Sequence, residues 1–309
     1  IGMWVVVIIL PDIQQEFKID RSTASIPFAL TMVGFAIGNG VMGRVVDRYG
    51  ITKTIILAAT INTVGYISAM QVSNIYLLTI LQFLIGFGTA ASFGPLIADT
   101  SHWFLKRRGI AVALIASGNY FSGAVWPPIF NTTLQSDGWR DVYGILAIAT
   151  VLVMIPLSFL LSKKITDETS RISDAASENK RASVQISPRM LTILLSIAGI
   201  GCCVAMSMPQ VHIVAFCIDL GFGPAVGAEM LSLMLIGGII SRLINGLIAD
   251  KLGGVYTLLI GSTLQCIALF LYLPFDGLVS LYVVSAVFGL SQGGIVPSYA
   301  IIIREYLPS

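Results

Sequence analysis

Arg242 stands inside an apolar run, eight residues before Asp250. At 1.5 Å per residue that places it about 12 Å from the charged end of the run. No carboxylate accompanies it in mid-run: Glu229 lies at one end, and Asp250 and Asp99 lie at the other end of their runs. A guanidinium in such surroundings costs about 2.5–3.5 kcal/mol on membrane-insertion scales, so it should face a cavity and meet an anion. Its planar fork of N–H donors matches a carboxylate through two parallel hydrogen bonds. A snorkelling arginine or a structural ion pair are the plainer alternatives. Further polar side chains interrupt other apolar runs. Asn119 and Tyr120 offer donors about ten residues into theirs. His212 is either a titrating gate or an interfacial histidine. Gln292 and Tyr299 flank Gly293-Gly294 and serve either a ligand or helix–helix hydrogen bonds.

Other chemistries lack residues to carry them. No nucleophile–base pair, metal-ligand spacing or phosphate-cradling loop stands out, and Gly86-Phe87-Gly88 falls within an apolar run, where it suits close helix packing. Neither a catalytic residue, nor a metal site, nor a cofactor is expected. The cysteines, Cys202, Cys203, Cys217 and Cys266, all fall in apolar runs and read as small packing residues.

The elements that must position these groups are long apolar helices. Apolar residues make up 56% of the 309 and charged residues only 11%, less than half the charged share of an average soluble domain. Runs near the roughly 20 residues that a bilayer requires fall at 1–16, 23–43, 52–71, 75–98, 108–134, 141–162, 190–214, 225–247, 254–274 and 277–303. They are continuous rather than alternating, so helices are expected: an all-α membrane protein with the lipid bilayer as partner. The connections on one side carry fourteen Lys and Arg, among them Arg44, Arg48, Lys106, Arg107, Arg108 and Lys251, against Lys18, Arg21 and Arg140 on the other. The basic side is therefore cytoplasmic. A net charge of +2 argues against a nucleic-acid partner.

The chain also repeats itself. Gly43-Arg44-Val45-Val46-Asp47-Arg48-Tyr49-Gly50 and Gly246-Leu247-Ile248-Ala249-Asp250-Lys251-Leu252-Gly253 share the pattern Gly-x-x-x-Asp-basic-x-Gly at an offset of 203 residues, and Pro95 and Pro297 repeat at 202. A duplicated apolar chain of this kind is expected of a carrier built from two similar halves. The expected division is an N-terminal transmembrane half at 1–162, a polar cytoplasmic linker at 163–188 and a partial C-terminal half at 189–309. By the internal offset, the start of span 1 and partners for spans 5 and 6 are expected beyond the sequence, giving twelve spans of which ten are present.

These signature turns resemble the loop found after spans 2 and 8 in the major facilitator superfamily. Trp103-Phe104-Leu105-Lys106-Arg107-Arg108-Gly109, Gly138-Trp139-Arg140 and Arg242-Leu243-Ile244-Asn245-Gly246 narrow the resemblance to its monocarboxylate-transporter and oxalate/formate-antiporter branch. Three positions depart from the pattern: Gln82 stands where many members carry arginine, Ser122-Gly123 where the antiporter motif has Gly-Pro, and Gly238 where monocarboxylate transporters often carry aspartate. The second departure speaks against drug export; the first and third remove charged groups on which proton coupling would rest. The resemblance implies a major facilitator fold of two six-helix pseudo-repeats in a plasma or bacterial inner membrane. It implies no enzyme, but secondary transport of a small organic anion, a monocarboxylate or dicarboxylate, by alternating access with a coupling proton or counter-anion. Arg242 would hold the substrate, with Asn119, Tyr120, His212, Gln292 and Tyr299 completing the pocket. Gly43, Asp47, Arg48, Gly50, Gly246, Asp250 and Lys251 would gate it, Asp250 by meeting the start of span 5. A carrier of another solute with Arg242 structural, and a non-transporting sensor on the same fold, are the alternatives.

Overall fold

A computed structural model describes residues 5–104, 107–136, 138–162 and 186–307. Most of the expected linker, 163–185, lies outside the described residues. Every described element is helical: α1 (Val5–Phe17), α2 (Arg21–Tyr49), α3 (Ile51–Met70), α4 (Ile75–Thr89), α5 (Gly94–Trp103), α6 (Arg108–Ser136), α7 (Trp139–Ala149), α8 (Ile155–Leu160), α9 (Pro188–Asp219), α10 (Pro224–Leu252), α11 (Gly254–Leu271), α12 (Leu278–Gln292) and α13 (Ile295–Tyr306). Among the described residues, seven helical segments are long and apolar enough to cross a membrane.

Three expected spans are broken, each for a local reason. The fourth is split into α4 and α5 by a short tight turn at Ala90–Ser92, and Pro95 opens the second piece. Its repeat, the tenth, breaks between α12 and α13 at Gly293-Gly294. In the sixth, a π-helical segment at Thr150–Met154 joins α7 to α8. Pro156 follows it, and its missing N–H leaves a carbonyl of the preceding turn unpaired, a common cause of such bulges. The signature segments are also less loop-like than their composition suggests. Gly43–Tyr49 and Gly246–Leu252 are the closing turns of α2 and α10. The chain turns only at Gly50 (φ 84°, ψ 162°) and Gly253 (φ 84°, ψ 168°), a region essentially reserved for glycine. The basic Arg48 and Lys251 in those last turns suit the negative end of a helix.

The chain divides into two compact units, one of Ile1–Asp99 with Val125–Lys164 and the other of Thr100–Ala124 with Ile165–Ser309. In the first, α2 and α4 cross at Gly34 and Gly86. A Cβ on Gly86 would lie 2.8 Å from the Thr31 carbonyl carbon, and one on Gly34 would lie 3.1 Å from the Phe87 nitrogen. Behind the crossing, Tyr66, Leu78, Ile85, Phe130, Val142 and Tyr143 form an apolar core. Gln82 is buried within this unit, where Thr31 donates to its Oε1 at 3.2 Å and its amide donates to the Tyr143 hydroxyl. At one end, Arg140 grips both Glu16 oxygens at 2.7 and 2.8 Å, Trp139 Nε1 donates to Glu16 at 2.6 Å, and the guanidinium covers the Trp139 ring.

The second unit repeats the crossing between α10 and α12. Gly237 and Gly289 replace Gly34 and Gly86 at the same offset of 203, and a Cβ on Gly289 would lie 2.6 Å from the Met234 carbonyl oxygen. Small residues let the two backbones touch, which is how helices associate where lipid removes any hydrophobic drive. Elsewhere apolar side chains face outward. Ile200, Val204 and Met208 on α9 are each more than 60% exposed, at the spacing of one helix face. Cys203 and Cys266 are exposed as well; of the four cysteines only Cys217 is buried in the core, so the expected packing role applies to one site among them.

Glycine substitutions should separate the crossings from the open surface. Gly289→Ala is expected to destabilise the protein by about 2 kcal/mol or more, because the methyl meets backbone rather than a movable side chain. Gly40→Ala, on the exposed side of α2 with nothing within 4 Å, is expected to stabilise it by about 0.5–1 kcal/mol. Thermal unfolding of the two purified variants checks the opposite signs.

Candidate functional site

Two features of the second unit carry chemistry: a buried guanidinium midway along α10, and a carboxylate at its end. Arg242 is only 2% exposed and is among the largest fully buried side chains. Its Nη1 donates to the Ala116 carbonyl of α6, and its guanidinium carbon lies 3.7 Å from the centre of the Tyr120 ring. Its Nε is buried without a hydrogen-bond partner. Among the described residues no carboxylate lies within ion-pair distance of it. The ring face supplies part of the missing counter-charge, worth about 2 kcal/mol when desolvated.

Tyr120 also explains an oddity of the sequence. A Cβ on Gly238 would sit 2.6 Å from Tyr120 Cε2 and 2.8 Å from Cδ2. The ring occupies the space that an aspartate at 238, one turn before Arg242, would need. Glycine there and tyrosine at 120 are therefore one arrangement: an aromatic ring stands beside the arginine in place of an acid.

Successive turns of α9 gather the neighbouring polar groups. Tyr120 donates its hydroxyl proton to Met206 Sδ at 3.4 Å, and one turn further along Gln210 Nε2 donates to Gln292 Oε1 at 2.9 Å. Tyr299 is half-buried, near Cys202 and Cys203 at the preceding turn. Gln292 is fully buried and its own Nε2 has no partner. Gly293 beside it lets α12 lie on α10 at Arg242 itself: a Cβ there would be 2.7 Å from the Arg242 nitrogen. Arg242 thus lies against Tyr120, while Gln292 is bonded to α9 one turn from the Met206–Tyr120 contact, with Tyr299 half-buried nearby. Asn119 is half-buried and, as the residue before Tyr120, points about 100° away around α6. His212 is exposed and lies two residues after Gln210, about 200° around α9 from the face that meets Gln292. Gln210 and Met206 escaped sequence reasoning. The signal for Gln210 was a polar residue directly after Pro209 in an otherwise apolar run.

At the C-terminal end of α10, Asp250 caps α6. Gly109 N donates to its Oδ1 at 2.6 Å and Ile110 N to its Oδ2 at 3.2 Å. These are unpaired first-turn donors, and the carboxylate also meets the positive end of the helix dipole. Gly246 makes the approach possible, since a Cβ there would fall 2.7 Å from the Ala113 Cβ and 2.9 Å from the Gly109 oxygen. The first signature copy behaves differently: Asp47 is exposed and Gly43 has nothing within 4 Å.

The family model of the Major Facilitator Superfamily matches residues 1–309. The chain belongs to the major facilitator superfamily. This is a family of transporters rather than enzymes, and the chain is accordingly a multi-pass membrane protein, as its apolar helices require. It is 26% identical over 285 residues to monocarboxylate transporter 13 of Rattus norvegicus, covering 91% of this chain and 64% of that one. An MFS-type transporter of Gibberella moniliformis is 28% identical over 279 residues, covering 88% and 65%. The chain thus spans just under two thirds of the length of these relatives. Among solved structures, a proton:xylose symporter of the superfamily bound to 6-bromo-6-deoxy-D-glucose superimposes with a TM-score of 0.67 at 15% identity, covering 99% of this chain and 79% of that one. A second superfamily transporter, in an outward conformation, gives 0.62 at 16% identity, covering 98% and 86%. The expected major facilitator fold is therefore present.

The Asp250 cap makes a prediction for this superfamily member. Asp250→Asn should cost about 1 kcal/mol, read as a lower unfolding temperature. In the same variant, a cysteine introduced by Ala113→Cys at the α6–α10 crossing should react faster with a hydrophilic maleimide.

Proposed function

We propose that the protein is a secondary carrier of small organic anions, a monocarboxylate or dicarboxylate, that works by alternating access. The observation that carries this reading is the buried Arg242, with no acid beside it among the described residues and an unpartnered Nε. A desolvated cation of this kind is stabilised by a ligand that brings the negative charge with it. Tyr120 orients the guanidinium from one side, and Asn119, Gln292 and Tyr299 are proposed as further contacts; His212, expected as a contact from the sequence, faces away around α9. The similarity to a monocarboxylate transporter supports the choice of anion class. A proton or a counter-anion would supply the coupling.

In this reading residues 1–162 and 189–309 act as two transmembrane halves joined through 163–188, rocking about the site. Asp250, with Gly246 and Lys251, holds the inner end of α10 to the start of α6 and must release it when the site opens inward. Gly43, Asp47, Arg48 and Gly50 form the matching gate on α2. An occupied arginine is neutralised, so closure over the site is easier with substrate bound than without it.

Uptake of labelled lactate, pyruvate, formate and oxalate by the full-length protein in proteoliposomes tests the proposal. Arg242→Ala in a still-folded protein should lower uptake of the transported acid on the order of 100-fold, the loss of about 3 kcal/mol of charge-assisted hydrogen bonding. Unchanged uptake would make Arg242 structural, and silence of the parent on all four acids would remove the anion class.

A further inference from the structure

We propose that Gln292 is a specificity residue, held by Gln210, which presents an amide N–H to a second, uncharged oxygen of the bound anion. The inference rests on the anion-carrier reading and adds what the anion must carry besides its carboxylate.

An amide side chain has two ends of opposite character, and its neighbours decide which end faces the site. Here Gln210 Nε2 donates to Gln292 Oε1 at 2.9 Å, so the carbonyl end of Gln292 is taken. The NH2 end is left buried and without a partner. A fully buried amide donor with nothing to bind is costly, and a ligand acceptor removes that cost. The group is also correctly placed for a ligand held by Arg242. Met206, one turn before Gln210 on α9, touches the Tyr120 hydroxyl, and the Tyr120 ring lies against the guanidinium. Gln292 and the Arg242–Tyr120 pair therefore meet α9 one helix turn apart, about 5–6 Å along its axis. That is the scale of a small acid rather than of a long chain. Gly293 puts no side chain between Gln292 and α10 at Arg242.

Both glutamines are neutral, and among the described residues Arg242 is the cation beside Tyr120. The ligand that satisfies them has one carboxylate and a hydroxyl or carbonyl oxygen nearby. A site that hydrogen-bonds a substrate oxygen discriminates strongly against an analogue lacking it, because the site's own donor is then left unpaired. Gln210 acts through Gln292 and is a positioning residue.

Lactate and propionate differ by one hydroxyl and serve as the probes, with uptake of each measured for the full-length protein and three variants in proteoliposomes. Gln292→Met keeps the volume and removes the donor. It should lower the lactate-to-propionate uptake ratio about tenfold, chiefly through lactate. Gln210→Met should lower the same ratio by a smaller factor, and tests the proposal alone if the first variant does not fold. A ratio unchanged in both variants, or a parent that takes up lactate no better than propionate, would overturn the proposal. Arg242→Gln keeps the two failures apart. Loss of both acids in that variant upholds the anion-carrier reading whatever the ratio does, and retention of both overturns that reading itself.

Discussion

Two backbone-on-backbone crossings hold everything else in register. In a bilayer, apolar side chains gain nothing by leaving lipid for protein, so helices adhere where their main chains approach closely enough for dispersion to accumulate. Gly86 lies against the Thr31 backbone and Gly289 against that of Met234, and the residues of both pairs are 203 apart. The second crossing does more than fasten α10 to α12. Because Gly293 continues the same line of small residues, α12 ends with Gln292 beside the stretch of α10 that carries Arg242. Contacts that fold the unit also set the distance between its two most conspicuous buried donors.

The duplication is kept where it serves backbone geometry and lost where it would serve chemistry. Gly50 and Gly253 adopt the same conformation, and Thr54 and Thr257 each return a hydroxyl bond of 2.9 Å to them. By contrast, the residue 203 before Arg242 is Asn39, which bonds to the Phe35 carbonyl of its own helix at 2.8 Å. The one before Gln292 is Thr89, likewise bonded within its helix to the Ile85 carbonyl at 2.8 Å. Both side chains are neutral and satisfied locally. The buried unpaired donors at Arg242 and Gln292 thus have no counterpart at the matching positions of the first copy.

Much of this was legible in the residues, and the limits were physical. Runs of about twenty apolar residues reveal the helices, because the bilayer penalises every alternative. Arg242 stands out for the same reason: a cation in mid-run is costly in a bilayer. The helix breaks at Ala90–Ser92 and Gly293-Gly294 were hidden, since glycine and proline are tolerated inside membrane helices and composition alone does not say which of them breaks a run. The signature segments read as turns because they are charged, yet all but one residue of each is helix; only the final glycine turns. Gln210 was hidden because a lone glutamine gains meaning only from what faces it, and α12 is some eighty residues away along the chain. His212 drew attention by its type, while its direction around α9 leaves it exposed.

The most consequential absence in the sequence is at Gly238, and it follows from packing. An acid there would give Arg242 a permanent counter-ion, and ligand binding would then have to compete with an existing ion pair. The Tyr120 ring instead fills that volume and offers its face to the guanidinium. A quadrupole attracts the cation without neutralising it. Nε therefore remains unspent. An arginine held by a ring keeps its charge available, whereas one held by a carboxylate must first be released. The glycine–tyrosine pair thus leaves the buried charge of Arg242 unneutralised, the condition under which the carboxylate proposed above would gain most from the encounter.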